Sequence, residues 1–214
     1  MIHSEAIQRP IISKTHALHT RSSTSREDIL GQLIDFDGDI QMTLKAPNFV
    51  THLDSDWRSE IWQPIYEEIS QLGMLVRFDQ RGNGLSERNP ENISFSSMVE
   101  DISAVVENEK LENFVLFGVS QGAASAIKFA SDNPDLVSGL VLLGGFSRGL
   151  SKRGDGQEGQ IMLETQMIRS GWENENPAFR QYFTTTMIPK SSPKAKDNFD
   201  QMLRESTSGE VVAK

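Results

Sequence analysis

The sequence predicts an α/β fold, a mostly parallel sheet flanked by helices, followed by a helical segment. Three observations carry this. The runs 114–119 and 136–143 are apolar without polar alternation, the pattern of strands buried on both faces. Stretches with apolar residues at helical spacing separate the strand-like runs, and strand–helix–strand alternation implies right-handed crossovers and parallel pairing. Beyond Gly145 the chain turns polar and helix-leaning, and residues 147–214 hold no apolar strand run.

Taken in order, residues 1–28 are polar and irregular and read as a flexible leader. Two short apolar runs, 29–34 and 40–44, flank Asp37-Gly38, which is a hairpin signal. A loop follows at Ala46-Pro47-Asn48-Phe49-Val50. Residues 59–72 place Ile61, Trp62, Ile65, Ile69 and Leu72 at helical spacing, and Gly73 stops that helix. A short strand is expected over 74–78, and a helix over 94–106 with Ser94 as its N-cap. The strand at 114–119 leads into an alanine-rich helix at 121–131, and a second buried strand is expected at 136–143. The expected organisation is therefore a leader (1–28), an α/β core (29–146) and a helical cap (147–214).

Composition narrows the function. The 214 residues suffice for one domain with a real core. A formal charge of -9 disfavours nucleic acid or anionic membranes as partners, since both reward Lys/Arg surfaces. No apolar run reaches the length of a membrane span, and residues 1–20 lack the apolar core of a secretory signal. With no cysteine there are neither disulfides nor cysteine metal sites, which is compatible with the expected cytoplasmic location.

The chemistry centres on Gly118-Val119-Ser120-Gln121-Gly122. Gly-x-Ser-x-Gly is common by itself. Between a buried strand and a small-residue helix it has the context of a nucleophile elbow. A serine on so sharp a turn needs neighbours without bulk, hence Gly118 and Gly122, and the helix N-terminus favours negative charge beside the hydroxyl. The plainer alternative is a glycine-rich turn with an idle serine. A second motif, Phe78-Asp79-Gln80-Arg81-Gly82-Asn83-Gly84-Leu85-Ser86, reads as a tight turn in which Asp79 and Arg81 brace neighbouring loops.

Together with residues 46–57 and 171–180, these stretches resemble the α/β-hydrolase superfamily. The similarity is closer still to hydrolase-like domains found alone or fused to adenylate/guanylate cyclases and transcriptional regulators. The resemblance implies an α/β-hydrolase fold and an esterase-like serine hydrolase acting on a small acyl or ester substrate. It implies Ser120 as nucleophile, the backbone N–H of Gln121 as one oxyanion donor and the Asn48–Phe49 backbone as the second. It implies no cofactor and no metal. A non-catalytic hydrolase-like domain that binds a ligand and signals is the alternative.

In that superfamily the triad partners follow the serine in the order Ser, Asp/Glu, His. His3, His16, His19 and His52 all precede Ser120, so the chain is expected to stop inside the cap, ahead of the acid and the base. His52 lies beside the expected oxyanion loop; it reads first as a loop histidine bonding to backbone, Asp54 or Asp56, and second as a substitute base. The three leader histidines lack a metal-ligand spacing. Trp57, Trp62 and Trp172 read as packing anchors, and Met162, Met167, Met187 and Met202 as apolar fill in the cap. Ending the chain in the cap leaves strand 136–143 with an open edge, through which copies of the chain are expected to associate.

Overall fold

The computed structural model describes residues 12–15, 40–146, 149 and 156–214. Its sheet has the order β1-β3-β2-β4-β5, formed by β1 (Ile12–Thr15), β2 (Met42–Ala46), β3 (Met74–Phe78), β4 (Phe114–Val119) and β5 (Val137–Leu143). β2 pairs in parallel with both β3 and β4, and β4 with β5, while β1 runs antiparallel along β3. The parallel pairs are joined by helices α2 (Gln63–Leu72), α3 (Phe95–Glu109) and α4 (Gln121–Asp132), as a parallel sheet requires. A short helix α1 (Leu53–Arg58) precedes α2, and α5 (Gln157–Gly171), α6 (Ala178–Met187), α7 (Pro193–Ser206) and α8 (Gly209–Val212) follow β5.

The central strands are covered on both faces. Side chains alternate along β4, so Val115, Phe117 and Val119 join Tyr66, Leu75 and Trp172 in one cluster. Phe114 and Leu116 join Leu44, Val76, Ile102, Val105 and Phe129 in the other. Burying a side chain of that size contributes roughly 1.5–3 kcal/mol each. The α3 helix begins where expected, because the Ser94 hydroxyl accepts from Ser97 N–H at 3.2 Å and Ser97 Oγ accepts from Ser94 N–H at 2.8 Å. This reciprocal pair satisfies two otherwise orphaned donors.

Four expectations change. The helix expected over 59–72 starts four residues later, as α2 at Gln63, where Pro64 suits its first turn, and Ser59–Trp62 link it to the separate short helix α1. The strand expected to be buried over 136–143 is half-exposed, with Leu140 at 37% and only Val141 buried. It pairs only on its β4 side among the described residues, so one edge and part of each face meet solvent. The second arm of the expected hairpin forms β2, yet β2 has parallel neighbours on both sides; its first arm, 29–34, lies outside the described residues. Within the stretch read as a leader, residues 12–15 form the edge strand β1, and the rest of 1–28 also lies outside the described residues.

The second motif does brace loops. Asp79 Oδ2 accepts from Leu53 N–H at 3.1 Å and Leu85 N–H at 3.0 Å, and Ser86 Oγ donates to the Asp79 carbonyl at 2.6 Å. Gly84 adopts φ 52°, and a Cβ there would overlap the Asp79 carboxylate. Arg81 grips Asp101 through Nη2 at 2.7 Å and Nε at 3.0 Å, joining the turn to α3. Its far side receives the end of α7, where Thr207 Oγ1 donates to Gly82 O at 2.8 Å and Gly84 N–H to Ser206 O at 2.7 Å.

Candidate active site

Ser120 occupies the one-residue turn between β4 and α4 with φ 53° and ψ -118°. Its N–H donates to Leu143 O on β5 at 2.9 Å, and its carbonyl accepts from Ala123 N–H at 3.1 Å, so the turn is pinned from both sides. The flanking glycines have steric reasons. A Cβ on Gly118 would lie 2.7 Å from Ala123 Cα, and one on Gly122 would overlap the Pro47 carbonyl oxygen. The second contact seats α4 directly on the loop that leaves β2. Gln121 N–H opens α4, so it belongs to the first-turn donors that have no intrahelical acceptor.

Two cavities meet at this serine. The first, of about 280 Å³, is lined by Asn48, Phe49, Val50, Val119 and Ser120 from the core, with Trp62 at the mouth of α2. Met187 and Ile188 at the end of α6, with Phe199 and Leu203 on α7, close it from the other side. The second, of about 890 Å³, shares Phe49 and Ser120 and is lined by Gln80, Asn83, Gln121 and Ala124 among others. Met187 borders both, so the methionine read as apolar fill lies at the cavity walls.

The structure thus brings Ser120, Gln121, Asn48 and Phe49 to one place. It does not bring His52 there. His52 is the residue ahead of α1, lines neither cavity, and its carbonyl accepts from Asp56 N–H at 2.8 Å. Its Nδ1 is buried without a hydrogen-bond partner. The bond to Asp56 is the main-chain bond that opens α1 and does not involve the imidazole. Among the described residues no group of three His, Asp or Glu side chains is placed to hold a metal ion. No described helix is long and apolar enough to cross a membrane.

Below the loop lies a buried polar cluster that sequence reasoning missed. Lys45 and Asp56 are 3% and 2% exposed, and Arg77 and Asp79 are buried with them. Trp57, Tyr66 and Trp62 stack with centroids 6.1 and 6.0 Å apart, and the cations sit over these rings. Lys45 Nζ is 5.7 Å from the Trp62 centroid, and Arg77 Cζ is 4.6 Å from that of Tyr66. Burial outweighs the nearby charges. It pulls the Lys45 ammonium down to about 8 against the attraction of Asp56, and pushes the Asp56 carboxyl up to about 7 against that of Lys45.

A family model described as the alpha/beta hydrolase fold matches residues 62–211, more than half of the chain. The chain belongs to the α/β-hydrolase family. As an α/β-hydrolase it is 30% identical over 138 residues to pyrrolizixenacetamide deacetylase of Xenorhabdus hominickii, a match covering 62% of this chain and 51% of that protein. Among solved structures it resembles an esterase from Exiguobacterium antarcticum, with TM-score 0.66, 15% identity, and 95% of this chain against 66% of that one. A thermophilic esterase from Thermogutta terrifontis gives TM-score 0.63 at 17% identity, covering 95% and 64%. Identities this low speak for the fold alone. The chain spans about half the length of the Xenorhabdus relative and just under two thirds of each of these esterases.

The residues that line the small cavity from the ends of α2 and α6 and from α7 were legible only as core. Trp62, Ile188, Phe199 and Leu203 carry no motif. The signal available was that they are apolar residues on segments flanking the elbow and its partner loop, which pattern reading cannot separate from ordinary packing.

Proposed function

We propose that this α/β-hydrolase chain carries the nucleophile of a serine hydrolase for small carboxylic esters, with Ser120 attacking the acyl carbon. The carrying observation is the conformation of Ser120, a non-glycine residue at φ 53° on the turn where two cavities meet. In this reading Ser120 Oγ bonds to the carbonyl carbon, the carbonyl π pair moves to oxygen, and Gln121 N–H stabilises that oxyanion. A backbone N–H of the Asn48–Phe49 loop is the second donor. Collapse expels the alcohol and leaves an acyl-serine, which water then cleaves to acid and free Ser120. The Oγ proton passes to solvent water and not to His52, which lines neither cavity, and water returns a proton to the departing alkoxide. The small cavity, apolar apart from Asn48 and Ser120, suits the acyl side chain.

The test is covalent labelling of the 214-residue chain with a fluorophosphonate, read by mass spectrometry of the adduct peptide. A slow adduct on Ser120, absent in Ser120→Ala, is expected. Turnover of short activated esters should be weak, because an elbow with oxyanion donors alone retains roughly 10³–10⁴-fold over water. No adduct at Ser120, together with ligand binding in the cavity, would favour a non-catalytic hydrolase-like domain. We also infer that copies of the chain associate through the open edge of β5.

A further inference from the structure

A fully buried lysine beside the reaction centre has to be explained. An ammonium loses hydration when buried, and a buried ionic cluster is often no more stable than an apolar core of equal volume. The position of Lys45 therefore needs an interaction that an apolar side chain would not make. Lys45 Nζ donates to Asn48 Oδ1 at 2.7 Å, and Asn48 Nδ2 donates to Val50 O at 3.0 Å. Asn48 is only 8% exposed and lines the small cavity together with Ser120, whereas Lys45 lines neither cavity. Lys45 thus reaches the site only through Asn48.

The loop that follows β2 is held at three points. Lys45 ties down Asn48 at its start, the Gly122 backbone abuts the Pro47 carbonyl, and Arg77 and Asp79 fix its end. Arg77 Nη1 donates to Leu53 O at 3.2 Å, while Asp79 accepts from Leu53 N–H at 3.1 Å. The first of these anchors is the one a side-chain charge supplies next to the cavity. The groups facing the ammonium are Asp56 on α1, Arg77 on β3, Asp79 after β3, and the Trp62 and Tyr66 rings at α2. Their arrangement leaves Asn48 Oδ1 as the close hydrogen-bond acceptor.

We propose that Lys45 is a positioning residue for the chemistry at Ser120: through Asn48, its ammonium sets the conformation of residues 47–50 and so places the backbone N–H groups of Asn48 and Phe49 for the oxyanion. This rests on the reading of Ser120 as nucleophile, but it has a consequence independent of that chemistry. With Lys45→Met, the bond to Asn48 is gone at nearly unchanged length, and the Asn48–Val50 link loses its brace.

Three variants, Lys45→Met, Lys45→Arg and Asn48→Ala, test it in two arms. In the first, backbone amide NMR of the folded chain should show large shifts at Asn48, Phe49 and Val50 in Lys45→Met, with Lys45→Arg closer to wild type. Unchanged loop amides in a folded Lys45→Met protein would overturn the proposal whether or not Ser120 reacts. Should Lys45→Met fail to fold, Asn48→Ala keeps the test open, because it must move the Phe49 and Val50 amides and the Lys45 ammonium signal.

In the second arm, fluorophosphonate labelling of Ser120 is resolved into a maximal rate and a half-saturating concentration. Lys45→Met should lower the maximal rate by up to about 100-fold, the scale of a donor misplaced by about 1 Å, and leave half-saturation nearly unchanged. Asn48→Ala should do the same, and the double variant should be no slower than either single one. Additive losses, or a loss carried by half-saturation, would reduce Lys45 to a packing residue. Absent labelling in wild type would count against the Ser120 reading and leave the NMR arm to decide.

Discussion

The backbone at Ser120 yields a stability prediction of unusual sign. The main chain there is held by Ser120 N–H to Leu143 O at 2.9 Å and by Ala123 N–H to Ser120 O at 3.1 Å, neither of which depends on the side chain. Any substituted residue therefore inherits φ 53° and ψ -118°. A non-glycine residue in so sparsely populated a region costs on the order of 1–3 kcal/mol, which glycine avoids. Glycine in turn gives up about 0.4–1 kcal/mol relative to alanine through the freedom of the unfolded chain. The difference leaves Ser120→Gly more stable than Ser120→Ala by about 1 kcal/mol. For a chain of this size that is a rise of roughly 2–4 °C in Tm.

The comparison with alanine matters because both variants remove the hydroxyl, so its loss cancels. Ala124→Gly is the control, one turn along α4, where the same exchange should cost about 0.5–1 kcal/mol in the ordinary direction. Thermal and urea unfolding of wild type and the three variants, followed by circular dichroism, measures all of these. If Ser120→Gly proves less stable than Ser120→Ala by as much as the control falls below wild type, the elbow is not strained. Ser120 would then sit on an ordinary turn, and the conformation that marks it as a nucleophile would be gone.

Two further outcomes follow from the packing and the charges. Light scattering should find dimers or larger species, and Leu140→Lys, at a position 37% exposed on β5, should shift them toward monomer; a wild-type monomer at all concentrations would refute association through that edge. Asp56 binds a proton in the folded state up to about pH 7 but only below about 4 when unfolded, so between those values the folded protein holds the extra proton and stability falls as pH rises. Lys45, Arg77, Asp79 and Tyr66 all face this carboxyl and are common to both proteins compared. Asp56→Asn, which cannot ionise, should gain on wild type across that window, with a slope of at most about 1.4 kcal/mol per pH unit, and a pH-independent difference would refute the assignment.

What could be read from the sequence, and what could not, divides along a physical line. The elbow was legible because a local backbone constraint leaves a local mark: at φ 53°, with α4 seated against Pro47, only glycines fit at 118 and 122, and they stand two residues either side of the serine. Ser94 was legible as a cap for the same reason, since its partner Ser97 is three residues away. β5 was misread because burial of an apolar run depends on what lies across its edge, which the run itself does not encode. Lys45 is the sharper case. Thr43-Leu44-Lys45-Ala46 alternates polar and apolar like a strand with one wet face, yet all four residues are buried. The face is dry because α1 and α2 bring Trp57, Trp62 and Tyr66 across it from up to twenty-one residues away, together with the counter-charge of Asp56. A charge becomes a core residue only through partners contributed by other elements, so its burial is written in the topology and not in its neighbours. The same holds for the site as a whole. The Ser120 hydroxyl is placed by a turn that the sequence announces, while the loop opposite it is held by electrostatics that exist only once β2, β3, α1 and α2 have assembled. The turn should therefore tolerate distant substitutions that leave the loop slack, and a loss at Lys45 should disturb Asn48 and Phe49 while Ser120 keeps its φ.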